Sequence, residues 1–247
     1  MTPEILIKVR GLSIGWGDRL LLENADFDVQ RGDVFVILGG SGCGKSTLLR
    51  HLIGLELPRQ GTISIAGIGA PRLEGAAPEY GVMFQSGALF SSMTVGENVG
   101  FALQEWTDLP ADAIEAIVKG KLSLVGLEGA EGRLPAELSG GMKKRAAIAR
   151  AMAFEPSLLF LDEPSAGLDP VSAAELDDLI IALNRGLGLT VVMVTHELES
   201  IFKVGKNCIM LDKESKSIIA SGSPRELKAT SVDPRVHQFF HREARAR

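Results

Sequence analysis

The stretch Gly39-Gly40-Ser41-Gly42-Cys43-Gly44-Lys45-Ser46-Thr47 fits the pattern G-x-x-x-x-G-K-[ST] of a P-loop. An apolar run at residues 34–38 comes directly before it and is typical of a buried strand. Residues 47–53 follow the loop, and their apolar side chains recur at helical spacing. Strand, glycine-rich loop and helix are the context that the motif requires, so the sequence predicts a loop that wraps around a phosphate group.

The residue types of this loop suit a polyphosphate. Glycines let the backbone come close to the ligand where a Cβ atom would clash, and successive backbone N–H groups form an anion site at the positive end of a helix. Lys45 adds a full positive charge for the β and γ phosphates, and Ser46 offers a hydroxyl oxygen to Mg²⁺. The expected binding residues are Gly39, Gly40, Ser41, Gly42, Cys43, Gly44, Lys45, Ser46 and Thr47. For this stretch alone, a glycine-rich turn with an accidental Lys-Ser pair stays open as the alternative.

Two carboxylates, Asp162 and Glu163, follow the apolar run at residues 158–161, at the end of a strand predicted from Ser157. Asp162 at the tip of a strand can hold Mg²⁺ through water, and Glu163 can accept a proton from a water molecule that attacks the γ phosphate. Gln85 directly follows another apolar run, where its amide can reach the metal and the attacking water. The structural alternatives are surface carboxylates and a plain loop glutamine.

His196 comes at the carboxyl end of the strand predicted at residues 190–195. A single histidine in such a place usually caps or packs a strand end. Here the P-loop and the Asp162-Glu163 pair also follow strands, and an open parallel sheet binds its ligand at the carboxyl ends of its strands. We therefore expect His196 to face the same γ phosphate.

Trp16 lies on a predicted turn, residues 15–18, between strands expected at residues 5–9 and 20–29. An adenine ring needs a flat aromatic surface on which to stack, and Trp16 lies on the segment just before the P-loop strand. We expect Trp16 to stack on adenine. A half-buried aromatic residue of a strand is the alternative.

The composition excludes several classes of protein. A net charge of −5 over 247 residues gives no reason to expect nucleic acid as a partner, because nucleic-acid binding usually goes with a basic stripe. The first residues lack the signature of a signal peptide, and no apolar run approaches the ~18 residues of a membrane span. Any membrane role is therefore expected to come through a partner chain.

The two cysteines, Cys43 and Cys208, form no disulfide framework, which suits a reducing cytoplasm. Cys43 lies in the predicted anion site at a helix N-terminus, and that position favours a thiolate. We therefore expect alkylation of Cys43 to block ligand binding.

Residues from about 87 to 156 have the character of a helical lobe inserted into an α/β domain. One helix is predicted at residues 95–106, and Pro110 suits the first turn of a second helix. Ser139 starts a third helix, which is predicted to continue to about Phe154.

Two charged segments have simpler interpretations. The Lys143-Lys144-Arg145 run of the third helix is predicted to be a solvated face. The C-terminal extension at about residues 230–247 mixes aromatic and basic residues, so it is expected either to fray or to dock on a neighbour.

Over nearly its whole length the sequence resembles the nucleotide-binding subunit of ABC transporters. Six motifs stand in the order of that family: the P-loop at 39–47, the Q-loop residue Gln85, the signature LSGGM at 138–142, the Walker B run at 158–163, the D-loop at 165–169 and the switch histidine His196. Met142 departs from the family, whose signature usually ends in Gln. ATP use is not threatened, because the family's phosphate contacts come from the serine and the glycine N–H groups.

The resemblance implies a fold and a mechanism. The fold is an α/β P-loop NTPase core with an N-terminal antiparallel β subdomain and an inserted α-helical subdomain, in a single ABC ATPase domain at residues 1–247. Ser139, Gly140 and Gly141 would bind the ATP of a second copy, so that a homodimer holds two nucleotides head to tail. Trp16 matches the aromatic residue that stacks on adenine in the family. An integral membrane permease would then convert ATP hydrolysis, with Mg²⁺, into transport at the cytoplasmic face of the inner membrane.

Three segments look like the ATPase of Mla-type, or Mce-associated, transporters, which move phospholipids between the membranes of a bacterial envelope: residues 85–90, 139–142 and 233–239. That family pairs the ATPase with a permease and an MCE-domain protein, often together with a small STAS-domain protein. The alternatives are the ATPase of a polar amino-acid importer and a non-transport ABC ATPase of DNA repair or translation. Members of the last class typically carry paired cassettes or long coiled-coil insertions, and this sequence shows neither.

Overall fold

The computed structural model describes residues 4–17, 19–72 and 78–243 of the chain. The strands are β1 (Ile5–Trp16), β2 (Arg19–Gln30), β3 (Val34–Gly39), β4 (Gln60–Ile65), β5 (Gly81–Met83), β6 (Leu158–Asp162), β7 (Thr190–Val194), β8 (Asn207–Asp212) and β9 (Ser217–Gly222). The helices are α1 (Lys45–Leu52), α2 (Val95–Trp106), α3 (Ala111–Leu124), α4 (Gly140–Ala151), α5 (Pro170–Leu187), α6 (Leu198–Val204), α7 (Pro224–Thr230) and α8 (Pro234–His241). This mixture of strands and helices confirms the predicted α/β class.

Two compact units make up the chain: Met1–Leu73 with Thr190–Arg247, and Glu74–Leu189. The helical lobe predicted at about residues 87–156 lies within the second unit. None of the helices in the described ranges has the length and apolar character that crossing a membrane requires.

An antiparallel sheet of three strands, in the order β2-β1-β4, forms part of the first unit and matches the predicted N-terminal β subdomain. Ile7 and Val9 of β1 are buried whereas Lys8 between them is exposed, as the alternation of side chains along a strand requires. Both β1 and β2 are longer than predicted, so the turn between them is shorter than residues 15–18. Asp18 of that predicted turn lies outside the described residues.

The first unit also contains a mixed sheet, in which β3 lies between β7 and β8 and is parallel to both. β9 joins β8 in the antiparallel direction. Every residue of β3 is buried, because strands flank both of its edges and its apolar run gives both faces to the core. The P-loop therefore begins at the end of a fully enclosed strand, which fixes the position of its first residue.

The C-terminal extension is folded for most of its length. Helix α8 buries Val236 and Phe240, and its N-cap Asp233 accepts a hydrogen bond from the N–H of Arg235. The helix packs against α7 of its own unit, so residues 234–241 do not fray. Residues 244–247 of the predicted extension lie outside the described residues.

The second unit contains the parallel pair β5 and β6 and helices α2 to α5. Helix α2 has the predicted bounds, because Thr94 caps it and Glu97 accepts a hydrogen bond from the Thr94 N–H in a capping box. Pro110 is the N-cap of α3, one position before the first turn in which it was expected. Helix α4 starts after Ser139 as predicted and ends at Ala151, before Phe154.

The prediction that Lys143, Lys144 and Arg145 form a solvated face is wrong for Lys144. Only 7% of the Lys144 surface is exposed. Its ammonium group donates hydrogen bonds to the carbonyl oxygens of Gln85 and Glu163, within the same unit. A run of three cations does not show which of them faces inward, and a lysine can be buried where its ammonium group finds acceptors.

Candidate functional site

The backbone of the P-loop requires glycine at several positions. Gly39, Gly42 and Gly44 have φ angles of 143°, 74° and 101°, in the region that side chains disfavour. A Cβ atom on Gly39 would also lie 2.5 Å from the Leu211 carbonyl oxygen and 2.6 Å from the Cys43 sulfur. The loop is therefore wound tightly between the end of β3 and the start of α1.

The start of α1 has the features expected of the predicted anion site. Gly44 occupies the N-cap position, and a glycine has no side chain that could accept hydrogen bonds from the first turn. The first turn of α1 contains no acidic residue, so its N–H groups and the helix dipole present positive charge. The Lys45 ammonium group donates to the carbonyl oxygens of Gly39, at 2.9 Å, and Gly40, at 3.1 Å. The P-loop backbone thus folds around the Lys45 ammonium group.

A groove of about 200 Å³ runs between the start of β2 and the P-loop. Its lining residues are Arg19, Leu20, Leu21, Gly42, Cys43, Lys213 and Lys216. Three of these side chains, Arg19, Lys213 and Lys216, are cationic and line the groove together with P-loop residues. The groove therefore favours the binding of a polyanion. Leu21 packs so close to Gly44 that a Cβ atom there would lie 3.3 Å from the Leu21 Cβ.

Trp16 ends β1, opposite Arg19, and 49% of its surface is exposed. Its indole N–H donates to the Glu56 carboxylate at 3.3 Å. An exposed ring offers a surface for stacking, so the structure is compatible with the predicted role.

The expectation that Cys43 is a thiolate is wrong, whereas the effect of its alkylation on ligand binding stays a prediction. The residue is buried, with 2% of its surface exposed. Burial raises the pKa of the Cys43 thiol above its usual value, although the Lys45 charge and backbone N–H groups oppose the shift. Desolvation of a thiolate therefore outweighs the anion-stabilising field at the helix N-terminus.

His196 lies at the sheet edge where the P-loop begins. Strands β3 and β7 are parallel, and Val194 pairs with Ile37. His196 follows Val194 at the same spacing as Gly39 follows Ile37, so both residues leave the sheet at one edge. The imidazole is 56% exposed and its Nε2 lies 3.5 Å from a Glu197 carboxylate oxygen.

In the second unit, Gln85 and Glu163 likewise follow two neighbouring parallel strands. Strands β5 and β6 are parallel, with Met83 opposite Leu161. Gln85 and Glu163 each come two positions after these partners, so they leave the pair at the same edge. Asp162 is the last residue of β6, and Glu163 has a φ of 48°, a left-handed conformation that is rare for a residue with a Cβ atom.

Two polar side chains, which the sequence did not single out, form hydrogen bonds with the backbone of the segment after Gln85. Arg150 of α4 donates to the carbonyl oxygens of Gly87, at 2.8 Å, and Ala88, at 2.6 Å. Asn98 of α2 is fully buried; its amide oxygen accepts from the Phe90 N–H at 2.7 Å and its amide nitrogen donates to the Phe90 carbonyl at 3.1 Å. The available sequence signal was one polar residue within the apolar face of α2.

Ser139 caps helix α4 and stands at the surface. Its hydroxyl oxygen accepts from the Met142 N–H at 3.3 Å, which leaves the hydroxyl hydrogen able to donate to a ligand. Gly140 is also exposed, and a Cβ atom on it would lie 3.2 Å from a Leu168 methyl group. The predicted signature is therefore an exposed helix N-terminus in the second unit.

The predicted magnesium ligands have suitable chemistry. Ser46, Gln85 and Asp162 offer a hydroxyl, an amide and a carboxylate oxygen, which are the hard donors that Mg²⁺ prefers. In the described parts of the chain no group of three or more His, Cys, Asp and Glu residues forms a metal site.

Comparison with protein families and curated proteins gives consistent results. The family model described as "ABC transporter" matches residues 22–166. The intermembrane phospholipid transport system ATP-binding protein MlaF of Escherichia coli K12 is 42% identical over 240 residues, which cover 95% of this chain and 88% of MlaF. The probable ribonucleotide transport ATP-binding protein mkl of Mycobacterium leprae is 41% identical over 246 residues, which cover 98% of this chain and 70% of mkl.

Solved structures show the same fold. CbiO1 of Clostridium perfringens, part of the ABC transporter complex cbiONQ, has a TM-score of 0.82 and 31% identity, with 92% of this chain and 91% of that chain covered. The ATP-binding cassette MJ0796, solved as a dimer with ADP and Pi, has a TM-score of 0.78 and 27% identity, with 88% of this chain and 98% of that chain covered.

Proposed function

Because the chain belongs to the ABC transporter family, we propose that it is the ATP-hydrolysing subunit of a transporter that moves phospholipids across a bacterial cell envelope. The observation that supports ATP hydrolysis is the P-loop, where the Lys45 ammonium and an uncapped helix start form an anion site. The phospholipid cargo is supported by the likeness to MlaF, whose name states that activity.

The proposed roles follow the chemistry of each side chain. The P-loop amides and Lys45 bind the phosphates, Trp16 stacks on adenine, and His196 donates to the γ phosphate. Glu163 is the general base that accepts a proton from the attacking water. Bound through Ser46, Gln85 and Asp162, Mg²⁺ would neutralise charge on the phosphate oxygens.

We propose the same assembly as the family mechanism implies. Two copies dimerise when ATP binds, and the N-terminus of α4, with Ser139, Gly140 and Gly141, binds the γ phosphate held by the other copy. An integral membrane permease holds the dimer at the cytoplasmic face of the inner membrane. An MCE-domain protein and a STAS-domain protein complete the proposed complex, and residues 87–156 act as its helical subdomain.

Transport by the purified complex tests this proposal. A tagged chain is purified from its native membrane with its partners and reconstituted into vesicles that contain a fluorescent phospholipid. We expect lipid movement that depends on ATP and is absent when the chain carries Glu163→Gln. ATP hydrolysis without lipid movement would refute the cargo, and a ribonucleotide or a polar amino acid would then be assayed in its place. Co-purification with ribosomes or DNA and no permease would favour the non-transport alternative.

A further inference from the structure

Helix α4 buries one lysine whose ammonium group contacts two segments of the candidate site. Lys144 donates to the carbonyl oxygen of Gln85 and, at 3.4 Å, to that of Glu163. All three residues belong to the second unit. Because β5 and β6 are parallel, one cation reaches the backbone at the ends of both strands.

Burial of this ammonium group is unfavourable in itself. Burial lowers the pKa of Lys144 below its usual value, although the charges of Glu163 and Asp162 oppose the shift. An apolar side chain of the same length would fill the space without that penalty. Beyond packing, the lysine therefore contributes the hydrogen bonds to the two carbonyl groups and a positive charge that interacts with Glu163 and Asp162.

The backbone that Lys144 holds is unusual at Glu163. The φ of 48° at this residue is disfavoured by its Cβ atom and persists only where the surroundings impose it. The Glu163 carbonyl accepts from Lys144 and also from the Ala166 N–H at 3.2 Å. Two donors on one carbonyl fix the direction in which the Glu163 peptide group points.

The same helix also fixes the segment that follows Gln85. Lys144 holds the Gln85 carbonyl, and Arg150, further along α4, holds the carbonyls of Gly87 and Ala88. A shift of α4 would therefore move the Gln85 and Glu163 backbones together.

We propose that Lys144 is a positioning residue for ATP hydrolysis, which holds the backbones of Gln85 and Glu163 so that their side chains act together. The inference rests on the proposed function, in which Gln85 and Glu163 serve the attacking water. Since the two carbonyls do not belong to the P-loop, loss of the ammonium should lower kcat and leave ATP binding nearly unchanged.

Three variants test the inference in the purified membrane complex. Lys144→Met keeps the length of the side chain and removes the donors, whereas Lys144→Arg keeps both charge and donors. Lys119→Met is the control, because Lys119 is an exposed lysine of the same unit that pairs with Glu115 across one turn of α3. The measured quantities are kcat, KM for ATP, and the melting temperature as a check of folding.

We expect Lys144→Met to lower kcat by about tenfold to a hundredfold, the effect of losing charge-assisted hydrogen bonds. KM should stay within about twofold, and Lys144→Arg should keep most of the activity. If Lys144→Met does not fold, Lys144→Leu, which also removes the donors, is compared with Lys144→Arg in the same way. Wild-type kcat in the folded Met or Leu variant, or a loss in KM alone, would overturn the inference. If the wild type itself does not hydrolyse ATP, or Glu163→Gln has no effect, the proposed function fails instead.

Discussion

The guanidinium group of Arg235 lies 3.0 Å from the carboxylate of Asp212 and joins the start of α8 to the end of β8. Arg235 also pairs with Asp233 at 2.6 Å. A cleft of about 350 Å³ is lined by this junction together with Gly40 and Ser41 of the P-loop. The C-terminal helix is therefore part of the folded first unit and lies beside the loop that is proposed to bind phosphate.

This junction predicts a dependence of stability on pH. Burial raises the pKa of Asp212, but hydrogen bonds from Ser215 and the Arg235 charge outweigh it and the pKa is lowered. Hydrogen bonding to Arg235 lowers the pKa of Asp233 to about 2. Because both values lie below the unfolded value of about 3.9, the stabilisation is present above that pH and is lost as the pH falls toward 2.

We expect Arg235→Gln to lower the free energy of unfolding by about 1 kcal/mol at pH 7, since two partly exposed pairs are lost. The difference from the wild type should shrink at pH 3. Urea unfolding at the two pH values measures the difference in free energy of unfolding between the wild type and the variant. Arg225→Gln, on α7, is the control. An equal difference at both pH values would show that Arg235 acts through packing alone.

Trp16 and Trp106 are matched probes of the predicted adenine contact, because 49% and 48% of their surfaces are exposed. Trp16→Ala should weaken ATP binding by about 1–3 kcal/mol, the range measured for stacking of a base on an aromatic ring. Trp16→Tyr should restore most of the affinity, and Trp106→Ala should leave it unchanged. Titration with a fluorescent ATP analogue provides the values. Equal affinities for the wild type and Trp16→Ala would show that adenine binds elsewhere.

Lys45→Ala removes the ammonium group from the P-loop. We expect ATP binding or hydrolysis to weaken by about 2–4 kcal/mol, or roughly 30-fold to 1,000-fold, because a full positive charge is lost from the proposed phosphate site. Lys8→Ala is the control, since Lys8 is an exposed lysine of the same unit. Phosphate release and ATP binding, measured in both variants, separate a loss of affinity from a loss of catalysis. Undiminished turnover would contradict the role of the loop.

The two thiols should react slowly in the folded protein. Cys43 and Cys208 are buried, and burial raises the pKa of the Cys208 thiol to about 12. At pH 7.5 we expect iodoacetamide to modify either cysteine at least about 100-fold more slowly than in urea, because the thiolate is the reacting species. Mass spectrometry of the peptides reports each site. Rapid modification of Cys43 in the folded protein would support the thiolate that the sequence suggested.

Motifs that depend on the local chain were predictable from the sequence. The P-loop, the strand before it and the bounds of α2 follow from glycine spacing and apolar periodicity, both of which act within a few residues. The ends of β5 and β6 were also predictable, so the placement of Gln85 and Glu163 at one edge agrees with the expectation.

Features that depend on tertiary burial were not predictable in this way. The helix N-terminus at Cys43 suggested a thiolate, but the packing around the sulfur decides its pKa. The three cations from Lys143 to Arg145 are alike in the sequence, and only the position of α4 against β5 shows that Lys144 points inward. The pairing of Arg235 with Asp212 joins residues that are distant in the sequence, which a single sequence does not reveal.

Hydrolysis of ATP by the membrane complex, with either Glu163 or Glu163→Gln in this chain, tests the central claim most directly. We predict that the wild type releases phosphate when ATP and Mg²⁺ are present. The variant should bind ATP with a similar Kd, accumulate as an ATP-bound dimer, and release phosphate at least about 100-fold more slowly because it lacks the general base. Phosphate release by Glu163→Gln at the wild-type rate would contradict the account.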